Sequence, residues 1–439
     1  MSWPNCRYKL LSQCIPLGRA TRNFLIMEEI TARTMSVGQS GQTKPGHGDS
    51  TGKAEGHLLD DLRRGFEQRY GAEPRIFFAP GRVNLLGAHL DYNGGKVLPV
   101  ALGRGTYVAL APSRQSSSRF ASLDLPGEFE MEPREDIAAD LLGWAAYPVG
   151  VWKELGDRCP GPFDFLVAGN LPRGGGLSSS ASLSVATAYG LLQLGGNHID
   201  IEEVANLAWA AETGFVGVQC GIMDQYASAI SERGRALLLD CHTRGHELLP
   251  FAEDLELVVL DTRKPRNLVT SAFNQRVDQC RRAFRILQDR HPGLAVLAHA
   301  TPTQIEDAQE DLGPVLTRRA RHVVEESARM DGVRPVLEVD DHVELGNLVR
   351  ASHISCRDLY EVSCEELDFL VDGVCSFEGV HGARLTGAGF GGCVVSLVEP
   401  GSFSHEEEAV LLRSYADRFG FEAAVLRLEL GNEVREIPA

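Results

Sequence analysis

Apolar positions along the chain recur in two rhythms. Leu58, Leu62 and Phe66 fall on one helical stripe, and Ile201, Val204, Ala208 and Ala211 repeat at helical spacing. Alternation through Tyr107 to Ala111 and Phe163 to Val167 predicts strands. Ala236 to Cys241 and Leu255 to Thr262 are short apolar runs suited to buried strands, and Leu385 to Leu397 encloses a glycine-rich loop. The pattern predicts mixed α and β structure without an internal repeat of fixed period. Residues 36–56 break it: they are rich in Gly, Ser, Thr and Lys and nearly devoid of apolar side chains, so nothing there offsets the entropy of ordering. Residues 1–56 are therefore expected to be a disordered or mis-started extension, with Met27 and Met35 both in frame as later starts.

Charge and composition narrow the function. The 439 residues carry 43 Lys and Arg against 60 Asp and Glu, a net charge of −17, and a nucleic-acid partner is not expected, since neutralising phosphates needs clustered cations. At 43% hydrophobic and 23% charged the chain has the make-up of a globular protein. No apolar run approaches the ~18 residues of a membrane span, so no membrane partner is expected either. Ten cysteines are scattered without a C-x-x-C pair, as expected of reduced thiols in a cytoplasm.

Three segments carry candidate chemistry. Leu171-Pro-Arg-Gly174-Gly175-Gly176-Leu177-Ser178-Ser179-Ser180-Ala-Ser182 follows a predicted strand and opens an alanine-rich helix ending near Gly195. Unpaired N–H groups and the positive dipole end favour phosphate there, glycines allow close approach, and serine hydroxyls can ligate Mg²⁺; helix capping alone is the simpler role for such a cluster. Gly387-Ala-Gly389-Phe-Gly391-Gly392-Cys393-Val394 formally satisfies both the dinucleotide fingerprint and the protein-kinase glycine loop. Only 45 residues follow it, without H-R-D or D-F-G, so it does not open a protein kinase. In Ala79-Pro-Gly81-Arg82-Val-Asn84-Leu-Leu-Gly87-Ala88-His89-Leu90-Asp91-Tyr92-Asn93-Gly94-Gly95, Arg82 could face a transferring phosphoryl group and Asp91 could accept from sugar hydroxyls, unless the two simply pair with each other.

In order and content these segments resemble the galactokinase family, in the superfamily that includes the homoserine, mevalonate and phosphomevalonate kinases. GRVNLLGAHLDYNGG resembles the sugar-binding signature, LPRGGGLSSSAS the phosphate motif and LTGAGFGGC the third motif, while Cys220-Gly-Ile-Met-Asp224-Gln-Tyr226 looks like the segment with the catalytic aspartate. The resemblance implies an α+β, two-lobed fold with its active site between lobes 57–240 and 241–439. It implies a sugar 1-kinase that transfers phosphoryl from ATP, with Asp224 taking the proton of the anomeric hydroxyl and Arg82 stabilising the transferring group. ATP phosphates would lie over Gly174, Gly175, Gly176, Leu177, Ser178, Ser179 and Ser180, and Mg²⁺ would fall to Ser180 and Glu212. Composition alone makes Glu212 a surface carboxylate on a helix 201–213. Cys220 and Cys393 are expected to be packing residues, not thiolates.

Substrate-binding positions Ala88, His89, Asp91 and Phe273 depart from the family at two places. Ala88 stands where the signature normally has Glu, removing the carboxylate expected on the sugar 6-hydroxyl, and Phe273 stands where a Tyr is usual. Losing a charged hydrogen bond of roughly 1.5–3 kcal/mol should cut discrimination for that hydroxyl ~10- to 150-fold. The leading expectation is galactose phosphorylated at C1, the alternative galacturonate or a pentose such as L-arabinose. A catalytically silent sugar sensor is a third reading, against which the retained Arg82, Asp224 and serine run argue.

Overall fold

The computed structural model describes residues 50–132, 137–172, 175–251, 254–264 and 269–438. Helix α1 (Ser50–Tyr70) begins inside the stretch expected to lack structure, and Glu55 there accepts from the Tyr107 hydroxyl at 2.7 Å. The expected lead-in therefore ends before Ser50 rather than at 56; its remainder lies outside the described residues. The stripe predicted on this helix is real: Leu62 and Phe66 are buried against Ile76, Phe78, Tyr107 and Leu166 on one face of a sheet.

Among the described residues that sheet has eight strands. Its main path runs β12 (Arg435–Ile437), β1 (Arg75–Leu86), β2 (Lys96–Pro112), β5 (Phe163–Gly169), β3 (Ser118–Ser122), β4 (Phe129–Met131), and β6 (Arg235–Asp240) pairs with β2 and with β7 (His246–Pro250). Side chains alternate on β1: Ile76 and Phe78 face α1, whereas Phe77 and Ala79 join the main core on the other face. Helices α2 (Ala146–Leu155), α3 (Ser179–Leu194), α4 (Ile201–Ala210) and α5 (Met223–Ile230) contribute to that core. A second, antiparallel sheet follows the order β11 (Ala424–Leu428), β8 (Glu256–Asp261), β10 (Cys393–Val398), β9 (Val380–Thr386). The other α-helices among the described residues are α6 (Val269–Arg290), α7 (Pro302–Asp307), α8 (Gln309–Asp331), α9 (Val333–Glu338), α10 (His342–Ser355), α11 (Glu365–Val374) and α12 (His405–Phe419).

Sheet membership changes between Pro250 and Glu256, beyond the division expected at 240, because the β6–β7 hairpin keeps 246–250 with the first sheet. It changes back at the end, where β12 pairs antiparallel with β1.

Two irregularities of β1 place the site. Its register against β2 shifts between Pro80 and Arg82 and again between Asn84 and Leu86. Bulges of this kind re-aim side chains, and Arg82 leaves the strand here with only 4% of its surface exposed.

Candidate active site

Arg82, Ser178 and Asp224 converge from three elements. Arg82 Nε and Nη2 lie 2.8 and 2.6 Å from Asp224 Oδ1, and Nη1 donates to the Gly176 carbonyl at 2.8 Å. The other carboxylate oxygen, Oδ2, accepts from the Ser178 hydroxyl at 2.6 Å. Asp224 sits in the first turn of α5, so the start of that helix carries the carboxylate to the start of α3. Ser178 occupies the N-cap position of α3 with φ +62°, yet its side chain makes no capping bond because the hydroxyl is committed to Asp224. Capping alone therefore does not account for the serine run. The first backbone N–H to bond back within the helix is that of Ser182, to the Ser178 carbonyl, which leaves preceding amides available to an anion. Gly176 (φ +75°) approaches the third glycine motif backbone to backbone: a Cβ on it would sit 3.4 Å from the Gly387 Cα.

Glu212 is not a surface residue. Helix α4 ends at Ala210 and a π-helical turn spans Ala211–Val216; in this turn Glu212 is buried, with 3% of its surface exposed. Burial pushes its carboxyl up to about 7, although the Gln225 amide, 2.9 Å away, and the Ser180 hydroxyl favour the charged form. The two residues assigned to a metal thus meet, and the Gln225 Oε1 beside them is buried without a partner. Burial also pushes the Cys220 thiol up, as expected of a packing cysteine, and Cys393 packs its sulfur against Gly175.

The loop expected to bind sugar follows β1. His89 adopts φ +57° between Gly87 (φ +84°) and Gly94 (φ +73°). Its Nδ1 lies 2.8 Å from the Tyr92 hydroxyl, which is 2.8 Å from the Tyr360 hydroxyl, itself 3.0 Å from Cys280 Sγ. Half-buried Phe273 closes this aromatic wall, its ring centroid 6.1 Å from His89 and 5.5 Å from Tyr92. His89 Nε2 is buried with no partner, and burial, with His322, Arg384 and Arg276 nearby, holds the imidazole well below its usual range. Asp91 points the other way. A Cβ on Gly221 would stand 2.4 Å from Asp91 Oδ2, and burial together with the Asp224 charge pushes this carboxyl up to about 6. Arg82 pairs with Asp224 and not with Asp91.

Ala88 is buried (2% exposed), with its peptide N–H bonded to Glu326 at 2.8 Å. Of the positions assigned to ATP, Gly175 to Ser180 surround the Asp224 cluster or open α3; Gly174 lies outside the described residues. Tyr360, Cys280, His322 and Glu326 were not singled out by sequence. Tyr360 closes a π-helical turn, Cys356–Tyr360, while the others lie on helices where nothing but tertiary contact marks them.

Similarity to known proteins decides the family. Residues 64–112 match the galactokinase galactose-binding signature, 146–232 the GHMP kinases N terminal domain and 333–419 the GHMP kinases C terminal region. A galactokinase of Roseiflexus sp. (strain RS-1) is 42% identical over 84% of this chain and 95% of its own length. The chain belongs to the galactokinase family. A galactokinase of Fusobacterium nucleatum is 37% identical over 85% of this chain and 98% of that protein. In three dimensions this galactokinase-family chain matches the crystal structure of Lactococcus lactis galactokinase complexed with galactose, with a TM-score of 0.81, 31% identity, and coverage of 87% of this chain and all of that one (100%). A mevalonate kinase structure at 18% identity and TM-score 0.57 shares the fold. The two-lobed α+β architecture is the GHMP kinase fold. Among the described residues no helix is long and apolar enough to cross a membrane.

Proposed function

We propose that this chain transfers the terminal phosphoryl group of ATP to the C1 hydroxyl of galactose, giving galactose 1-phosphate and ADP. The clamp on Asp224 carries the assignment: Arg82 holds one carboxylate oxygen and Ser178 the other, at the open start of α3. A carboxylate fixed this way can take the C1 hydroxyl proton while the phosphoryl group lies over the helix start, and Arg82 stands beside it as a permanent cation. Asp91 and His89 would grip sugar hydroxyls, and Phe273 with Tyr92 would supply an apolar face to the ring. Because Phe273 and Ala88 add no hydrogen-bonding side-chain group, selectivity at C6 rests on shape.

Glu212 and Ser180 would hold Mg²⁺. A buried carboxylate raised to about 7, beside a hydroxyl and an orphaned amide oxygen, offers the hard oxygen donors this cation takes. When bound, Mg²⁺ would offset the charge of the nucleotide phosphates. Cytoplasmic location is supported by the cysteines, since no disulfide joins those among the described residues.

An ADP-release assay with galactose, galacturonate and L-arabinose tests the substrate. The expected order puts galactose first in kcat/KM. If either competitor is the better substrate, galactose is the wrong sugar; if no sugar releases ADP yet galactose raises the melting temperature, the protein is a sensor.

A further inference from the structure

We propose that His322 and Glu326, on helix α8, are positioning residues that set the shape of the sugar loop from behind. They stand four residues apart, hence on one face of α8, and both are fully buried (0% exposed). Together they grip the peptide groups on either side of Ala88. Glu326 Oε1 accepts from the Gly87 and Ala88 N–H groups at 2.9 and 2.8 Å, and His322 Nε2 lies 3.1 Å from the Ala88 carbonyl. A carbonyl can only accept, so His322 carries its proton on Nε2 and its Nδ1 takes the hydroxyl hydrogen of Ser355, 2.8 Å away.

Two successive N–H groups aimed at one oxygen form an anion nest, and here the anion is a side chain of the same protein. Its charge is well secured. Burial alone would raise the Glu326 carboxyl, but Arg329, Arg384 and the Ser352 hydroxyl bring it down to about 2. Arg329 Nε donates to Oε2 at 2.7 Å and the Ser352 hydroxyl to Oε1 at 2.6 Å.

The grip matters because of what it holds. Positive φ at Gly87 and His89 brackets Ala88, and a left-handed histidine persists only where its surroundings enforce it. His89 then faces Tyr92 and Tyr360, while Asp91 two residues on faces Asp224. The residues assigned to ATP lie instead at the start of α3 and in the glycine loop before it. Loosening the His322–Glu326 grip should therefore weaken sugar binding and spare nucleotide binding. The inference rests on galactose being the sugar this loop takes.

The test is galactose calorimetry with separate KM values for galactose and ATP on His322→Leu, His322→Gln and Ser355→Ala. The His322→Leu change should raise the galactose Kd and KM roughly 10- to 100-fold, with the ATP KM moving less than about threefold. Glutamine returns an amide donor to nearly the same point, so His322→Gln should recover most of the loss. Ser355→Ala, a smaller cavity, should weaken galactose binding by roughly 3- to 10-fold in a protein that folds even where His322→Leu does not. Equal rises in both KM values, a glutamine variant as impaired as leucine, or a Ser355→Ala enzyme with unaltered galactose affinity would overturn the proposal. Wild-type protein that fails to bind galactose would instead sink the galactose assignment itself.

Discussion

On the phosphate side, Arg82, Ser178 and Asp224 meet at a strand bulge, a glycine turn and a helix start, and each side chain is aimed by its own local backbone. On the sugar side, His89 and Phe273 take their places from residues far along the chain: Tyr360 lies 268 positions from the Tyr92 it bonds, and Glu326 lies 238 from Ala88. One half of the site is aimed by local backbone, the other is assembled by contacts from residues far along the chain. Changes on the first half should therefore act on the chemical step, and changes on the second on sugar affinity.

The largest expected effect is that of Asp224→Asn, which keeps an oxygen for Arg82 but removes the proton acceptor. Its kcat should fall ~10²- to 10⁴-fold with galactose binding nearly unchanged by calorimetry; full turnover would remove Asp224 from the chemistry. Next is Gly221→Ala, whose added Cβ would lie 2.4 Å from Asp91 Oδ2. Displacing Asp91 should raise the galactose KM by about 10- to 100-fold without a matching change for ATP. A parallel change in both would erase the division between the halves.

Ala88→Glu should sharpen selectivity by about tenfold, read as kcat/KM for galactose over L-arabinose, by restoring an acceptor for the 6-hydroxyl. If the ratio stays flat, position 88 does not line that part of the pocket. The smallest effect at neutral pH comes from the raised carboxyls. In their proposed roles Asp91 and Glu212 act when ionised, so kcat/KM should fall as pH drops through about 7 and again through about 6. A bound cation favours the ionised form of Glu212, so raising Mg²⁺ should move the upper of these two limbs to lower pH and leave the lower one in place. Movement of both limbs would put the metal on Asp91. The same shift acts on stability with the opposite sense: a carboxyl raised on folding adds stability at low pH that is lost as pH rises through about 7. Thermal melts of the metal-free protein should show that decline between about pH 4.5, the ordinary glutamate value, and about 7.

Legibility in the sequence followed the same division. Apolar runs at 236–241 and 255–262 became β6 and β8, and the Gly/Ser segment became the start of α3, because period and punctuation are local properties. It was the resemblance to the galactokinase family that put Arg82 and Asp224 into one site, and the two side chains do meet. Two readings failed for physical reasons, and one pair of residues went unnoticed. Residues 50–56 look unstructured by composition, yet they extend an amphipathic helix whose apolar stripe lies further along. Glu212 reads as exposed because a π turn, which carries no periodic signature, rotates it inward. His322 and Glu326 resemble any polar residues on a helix until the loop they hold is folded against them.

The strand β12 gives the chain an order of assembly. Arg75 on β1 pairs with Glu436 across 361 positions, so the edge of the first sheet stays open while nearly all the rest of the protein emerges from the ribosome. During synthesis that edge is an unmated template for any other extended segment. A nascent chain arrested short of residue 435 would carry Arg82, Ser178 and Asp224 in full and still present a sticky margin to its neighbours.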